Sequence, residues 1–254
     1  MKSDKQIEAS QLFKDTNIPV CGTGKRYLGG SLGHDEFTKD FLGEKVKKWV
    51  GELDRRAKFA SSEPHAAFAA LTHGLFGRWL YAIRVSEPSA DNLLKPLEVA
   101  IRQKVIPGLT GQPAPNDTVR KLLALPARLG GLGIFDPTSA STTLREMSEE
   151  ISAPLVDTIL QNNAYSLNDR QVEEGIIQVE GKQKATKRRL NLKSRHEQKV
   201  DAELVIASLP PTQRECTLVA QEKGVLSRIT AIPVRRAGFS LHKGCLSRCF
   251  SSLL

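Results

Sequence analysis

The chain has 254 residues, 40% of them hydrophobic, and a formal net charge of +9, which suffices for one substantial core or for a main domain with a smaller appendage. No apolar run approaches the roughly 18 residues of a membrane span, the opening MKSDKQIEAS lacks the apolar stretch of a secretory signal, and four scattered cysteines do not make a disulfide scaffold. The expectation is an intracellular protein with free thiols and no membrane partner.

The charge is concentrated. Between Gly181 and Lys199 eight Lys or Arg face one acid, Glu197, and Lys223 to Leu254 holds six cations and no acid, so the remainder is mildly acidic. A positive field gathered in the last third of a chain attracts polyanions.

In chain order, the first feature is CGTGKRYLGGSLG, Cys21 to Gly33, with five glycines and the pair Lys25-Arg26. It is not a nucleotide loop. A P-loop needs a glycine where Pro19 stands and a hydroxyl where Arg26 stands, and a dinucleotide fingerprint needs a third glycine where Tyr27 stands. Next, Phe37, Phe41, Val46, Trp49, Val50, Leu53 and Ala57 recur at helical spacing with charges between them. A second helix opens at Pro64, a residue suited to the first turn, and carries the stripe Phe68, Leu71, Leu75, Trp79, Leu80 and Ile83. A third spans ADNLLKPLEVAIRQKVI and is predicted to stop at Pro107, and a fourth starts on a cap at Asn116 and ends before Pro126.

LPARLGGLGIFDP, Leu125 to Pro137, has too many glycines for a helix and too many apolar residues for a linker, which predicts an ordered, partly buried loop. Helices resume in TTLREMSEE and APLVDTILQNN. A polar stretch around Asn168 then opens a long charged segment read as an exposed helix, and a short helix follows Pro210-Pro211 and ends at Gly224. No fixed repeat is present, which argues against a solenoid.

Sites for chemistry are few. His65 and His73 are eight apart, not at the three- or four-residue spacing of helical metal ligands, and Cys245 and Cys249 have no further Cys or His to complete a set of four. No nucleophile elbow occurs, and paired carboxylates such as Asp35/Glu36 and Glu149/Glu150 diverge on a helix. The reading is no catalytic residue, no metal, no cofactor and no small-molecule substrate. The strongest functional signal is the basic run Lys187, Arg188, Arg189, with Lys193 and Arg195; on a helix Arg188, Arg195 and Lys199 fall on roughly one side, as phosphate contacts or as a solvated face or nuclear-import signal. Trp49, Trp79 and Tyr81 could stack on bases, but the tryptophans sit on apolar stripes and read as core.

The ordered set KRYLGG, PHAAFAALTHGLFGRWLY, PLEVAIRQKVIPGLTG, LALPARLGGLGIFDP, APLVDTI and ITAIPVRRAGFSLHKG resembles the region just downstream of the polymerase palm in reverse transcriptase open reading frames of non-LTR-type retrotransposons. The resemblance runs from about Gly24 to Gly244. It implies a mainly α fold, a helical thumb-like bundle with a small N-terminal β-hairpin and an exposed basic helical segment. The implied divisions are a primer-grip-like segment at 1–34, a thumb-like domain at 35–165, a basic connector at 166–204 and a truncated C-terminal segment at 205–254. It also implies that Lys25, Arg26 and Tyr27 lie on a hairpin beside nucleic acid, either RNA or an RNA–DNA hybrid. The family's catalytic aspartates would precede the hairpin, and the residues before Tyr27 do not form that motif. The expectation is therefore a non-catalytic fragment of an RNA-directed DNA polymerase that binds primer–template. The alternative is a host-adopted helical interaction protein whose basic run serves nuclear import.

Overall fold

The computed structural model describes residues 3–17, 20–86, 92–160 and 169–222. The fold is mainly helical with one small antiparallel hairpin. Helix α1 (Ser3–Leu12), which the sequence patterning does not announce, precedes strands β1 (Gly24–Tyr27) and β2 (Gly30–Gly33). Helix α2 (Asp35–Ala60) follows at once, with Asp35 and Glu36 in its first turn where the helix dipole favours acids.

The buried face of α2 is Leu42, Val46, Trp49, Leu53 and Ala60. Its first turns depart from the expected stripe, because Leu42 rather than Phe41 enters the core. Phe37 and Phe41 stack on each other at 6.5 Å, and Phe37 covers Gly24 so closely that a Cβ there would collide with its ring. The hairpin, not the bundle, claims these two aromatics.

Helices α3 (Pro64–Ala69) and α4 (Phe76–Arg84) form one continuous rod through a π-helical turn, Ala70–Leu75. Pro64 occupies the first turn as expected. Trp79 is fully buried, 6.2 Å from Trp49 and 5.4 Å from Phe76, and Phe76 meets Phe135 at 5.8 Å, so both tryptophans are core.

The third rod repeats the device and corrects an expectation. Helix α5 (Lys95–Ala100) passes through a π turn, Ile101–Val105, into α6 (Ile106–Thr110), so the helix does not stop at Pro107. A proline inside a regular helix removes one hydrogen bond and pushes on the carbonyl four residues back. The π turn re-registers the bonds, with Ile106 N–H reaching Ile101 O, and Pro107 then lies in the first turn of α6. The rod ends at Gly111, which donates its N–H to Pro107 O at 2.8 Å and turns the chain away with a φ of 71°.

Helix α7 (Asp117–Ala124) starts as expected on Asn116, whose side chain accepts from Val119 N–H at 2.9 Å. The glycine-rich stretch after it is ordered. It doubles back so that Ile134 N–H meets Leu123 O at 2.9 Å and Gly133 N–H meets Leu125 O at 2.7 Å, burying Leu132 and Ile134 in the core. The two helical stretches expected next are one helix, α8 (Ser141–Leu160), which runs through Pro154. The carbonyl freed by that proline belongs to Glu150, an exposed residue, so water can satisfy it.

Helix α9 (Asp169–Ala207) is about 58 Å long at 1.5 Å per residue. Most of it is exposed, and Leu190, Ala202 and Ile206 are its buried points. Helix α10 (Pro211–Ala220) takes Pro211 into its first turn and ends before Gly224, which is outside the described residues. Gln221 Nε2 to Leu129 O (3.2 Å), Arg128 Nη2 to Gln198 Oε1 (2.8 Å) and the shared cluster of Leu122, Leu125, Ala202 and Leu209 tie α9 and α10 to the glycine-rich loop and α7.

Candidate nucleic-acid interface

The sequence-predicted residues form two groups on different parts of the fold. Lys25, Arg26 and Tyr27 are on β1, whose register pairs Lys25 with Leu32, Arg26 with Ser31 and Tyr27 with Gly30. Strand alternation divides them, since adjacent side chains point to opposite faces. Arg26 turns toward α2, its guanidinium 6.0 Å from the centre of the Phe41 ring. Lys25 turns the other way, into a shallow cavity of about 460 Å³ shared with Cys21, Leu32 and His34. Tyr27 is 60% exposed, with its ring available to solvent.

The turn joining the strands is two residues, Leu28 and Gly29, with φ of 46° and 84°. Positive φ at both positions matches the twist of a tight hairpin. Glycine adopts it freely and leucine does not, so Leu28 carries backbone strain that its surroundings must hold. Two side chains hold it. Tyr81 Oη on α4 donates to Leu28 O, and Lys45 Nζ on α2 donates to Gly29 O, each at 2.5 Å. The exposed hairpin is thus clamped to the bundle from two helices rather than left as a flap.

Between the hairpin, α2 and α4 lies an open cavity of about 470 Å³, and four cations line it: Arg26, Lys45, Lys48 and Arg78. Glu44 is the single acid in the lining. Lys45 Nζ also lies 4.5 Å from the Phe41 ring centre. Burial, together with the charges of Arg26 and Arg78, pushes the Lys45 ammonium below its usual pKa. Sequence reasoning missed Lys45, Lys48 and Arg78. Their signal was present in outline: Phe41, Lys45 and Lys48 are four and three apart, as one helix face requires, and Arg78 and Tyr81 are three apart on the facing helix.

The second group lies along α9. Lys187, Arg188, Arg189, Lys193 and Arg195 are all exposed. At 100° per residue Arg188, Arg195 and Lys199 project from the side opposite the buried Leu190. Arg189 is turned aside to pair with Glu150 of α8, and Lys193 Nζ lies 3.9 Å from Glu197 on its own helix. Helix α9 packs on α7, α8 and α10, whereas the hairpin packs on α2 and α4.

Among the described residues no group of three or more His, Cys, Asp and Glu converges in a way that could hold a metal ion. His65 is buried and His73 exposed; Cys21 and Cys216 are free thiols, and Cys245 and Cys249 lie outside the described residues. No described helix is long and apolar enough to cross a membrane. No family model, curated protein or solved structure matches the chain.

Proposed function

We propose that this chain is a non-catalytic nucleic-acid-binding unit, the thumb and connector of a retroelement reverse transcriptase, which grips an RNA–DNA primer–template through phosphate contacts. The observation that carries the reading is the lack of compensation. Lys187, Arg188 and Arg195 on α9, and Arg26, Lys45 and Lys48 around the hairpin, have no carboxylate partner among the described residues. Cations without a carboxylate partner on an exposed rod and beside a clamped hairpin suit a polyanion. The test is binding of purified protein to an RNA–DNA hybrid across a salt series. Affinity should fall steeply with salt and depend little on sequence. Affinity flat in salt overturns the reading.

A second reading, a helical protein-interaction module with the basic run used for nuclear import, has one observation in its favour. Leu155, Val156, Ile159 and Leu160 at the end of α8, and Ile176 and Ile177 near the start of α9, are exposed apolar residues. Negligible affinity for nucleic acid with intact nuclear accumulation selects this reading.

A further inference from the structure

The cavity between hairpin and bundle asks for an anion. Burying part of a cation is unfavourable unless a counter-charge or hydrogen bonds repay it. Lys45 is half-buried and its hydrogen-bond partner is a neutral carbonyl, Gly29 O. Arg26 and Lys48 face the same space, and of the four cations Arg78 alone has a carboxylate partner among the described residues, Glu52 at 3.1 Å. The aromatic face of Phe41 beneath Lys45 and Arg26 eases the crowding without removing charge. The wall opposite is fixed, because Tyr81 and Lys45 hold both turn carbonyls. A preformed concavity lined by an excess of cations binds an anion without having to order itself first.

We propose that this cavity seats one backbone phosphate of a bound nucleic-acid strand, with Lys45 and Lys48 of α2 and Arg78 of α4 as its ligands and Arg26 closing it from the hairpin. The inference rests on the nucleic-acid reading and sharpens it, since it assigns strand contact to α2 and α4 as well as to β1 and α9. Lys45 has two duties, anchoring the turn and facing the phosphate. Lys48 has only the second, because the hairpin anchor does not involve it.

The test is Lys48→Gln, with Lys45→Gln as a second variant and Lys121→Gln, an exposed lysine on α7, as the charge-matched control. Each is titrated with an RNA–DNA hybrid over a salt series, and inorganic phosphate alone is titrated in parallel by thermal shift. Lys48→Gln should melt like the parent, bind the hybrid more weakly and lower the slope of log K against log salt by about 0.9, the value of one phosphate contact to duplex. Lys121→Gln should change neither affinity nor slope. If the parent binds the hybrid and Lys48→Gln keeps the parent's slope, the seat is wrong while the nucleic-acid reading stands. A parent that does not bind the hybrid at all removes the reading and the seat together. Should inorganic phosphate raise the melting temperature of the parent while the hybrid does not bind, the site takes a free anion and the strand assignment is overturned.

Discussion

Arg120 grips Glu98 with two nitrogens, Nε 2.6 Å from Oε1 and Nη2 2.7 Å from Oε2, and the same guanidinium donates to the carbonyls of Ile134 and Phe135. One side chain therefore joins α5, α7 and the glycine-rich loop. The two side chains are only 5% and 17% exposed, so the pair is shielded from water. Removing one partner strands the other charge. Arg120→Ala should destabilise the fold by about 3–5 kcal/mol in urea unfolding, the usual cost of leaving a buried charge unpaired. Adding Glu98→Leu should recover part of that loss, but not all, because the two loop carbonyls lose their donor. A loss under about 1 kcal/mol for Arg120→Ala would mean that the loop does not depend on this staple.

Asp136 continues the same ordering on the far side of the loop. Its Oδ1 accepts from Thr138 N–H at 2.9 Å, Thr138 Oγ1 at 2.7 Å and Ser139 N–H at 3.3 Å. Burial pushes its carboxyl up, but the Thr138 and Ser139 donors and the Arg120 charge outweigh it and hold the group below its ordinary 3.8. The folded state thus binds the proton less readily than the unfolded chain. That stabilisation is complete above pH 3.8 and disappears as pH falls through the depressed value. Asp136→Asn should cost about 1–2 kcal/mol at pH 7, and its gap from the parent should narrow below pH 3.8. Urea midpoints at pH 7 and pH 3 check this, and a gap that stays constant rules out the charge as the cause.

The glycines of the loop have different duties, and substitutions separate them. Gly130 and Gly133 have φ of 82° and 64°, so any side chain there is strained. Gly131 has an ordinary φ, but a Cβ would strike the carbonyls of Leu125 and Leu122. Gly131→Val should cost at least about 1–3 kcal/mol, the range for overpacking. Gly51, in the middle of α2, is the contrast. Nothing lies within 4 Å of a Cβ there, so Gly51→Ala should stabilise by about 0.5–1 kcal/mol. Thermal melts of the two variants moving in the same direction would contradict the packing described.

The helices and this loop were legible because their signals are local. Apolar residues every three or four positions mark a face, Asn116 and Pro64 mark starts, and three glycines among apolar residues mark an ordered bend. Two things were not local. The π turns before Phe76 and Pro107 change the hydrogen-bond register with no periodic signal of their own, so from local pattern alone Pro107 reads as a terminus. The cavity is assembled from β1, α2 and α4, and Lys45, Lys48 and Arg78 read singly as ordinary solvated charges. The facing of α2 and α4, with the hairpin clamped across them by Tyr81 and Lys45, brings these cations to one space.

The α9 cations can be told apart by the partners they already have. Lys187, Arg188 and Arg195 have no carboxylate partner among the described residues, whereas Arg189 pairs with Glu150 and Lys193 lies near Glu197. A phosphate contact made by a free cation releases counterions without breaking anything, but one made by Arg189 must first give up Glu150. Changing Lys187, Arg188 and Arg195 together to glutamine should therefore lower the salt slope by about 2.5–3, near 0.9 for each contact. Changing Arg189 and Lys193 should lower it by less than two contacts' worth. The triple variant should weaken binding to unrelated sequences equally, because phosphate contacts carry no base information. Equal effects per residue in the two sets would show that the ion pairs do not restrain Arg189 and Lys193. A triple variant that keeps affinity and slope but loses nuclear accumulation would falsify phosphate contact on α9 and leave import as the role of the run.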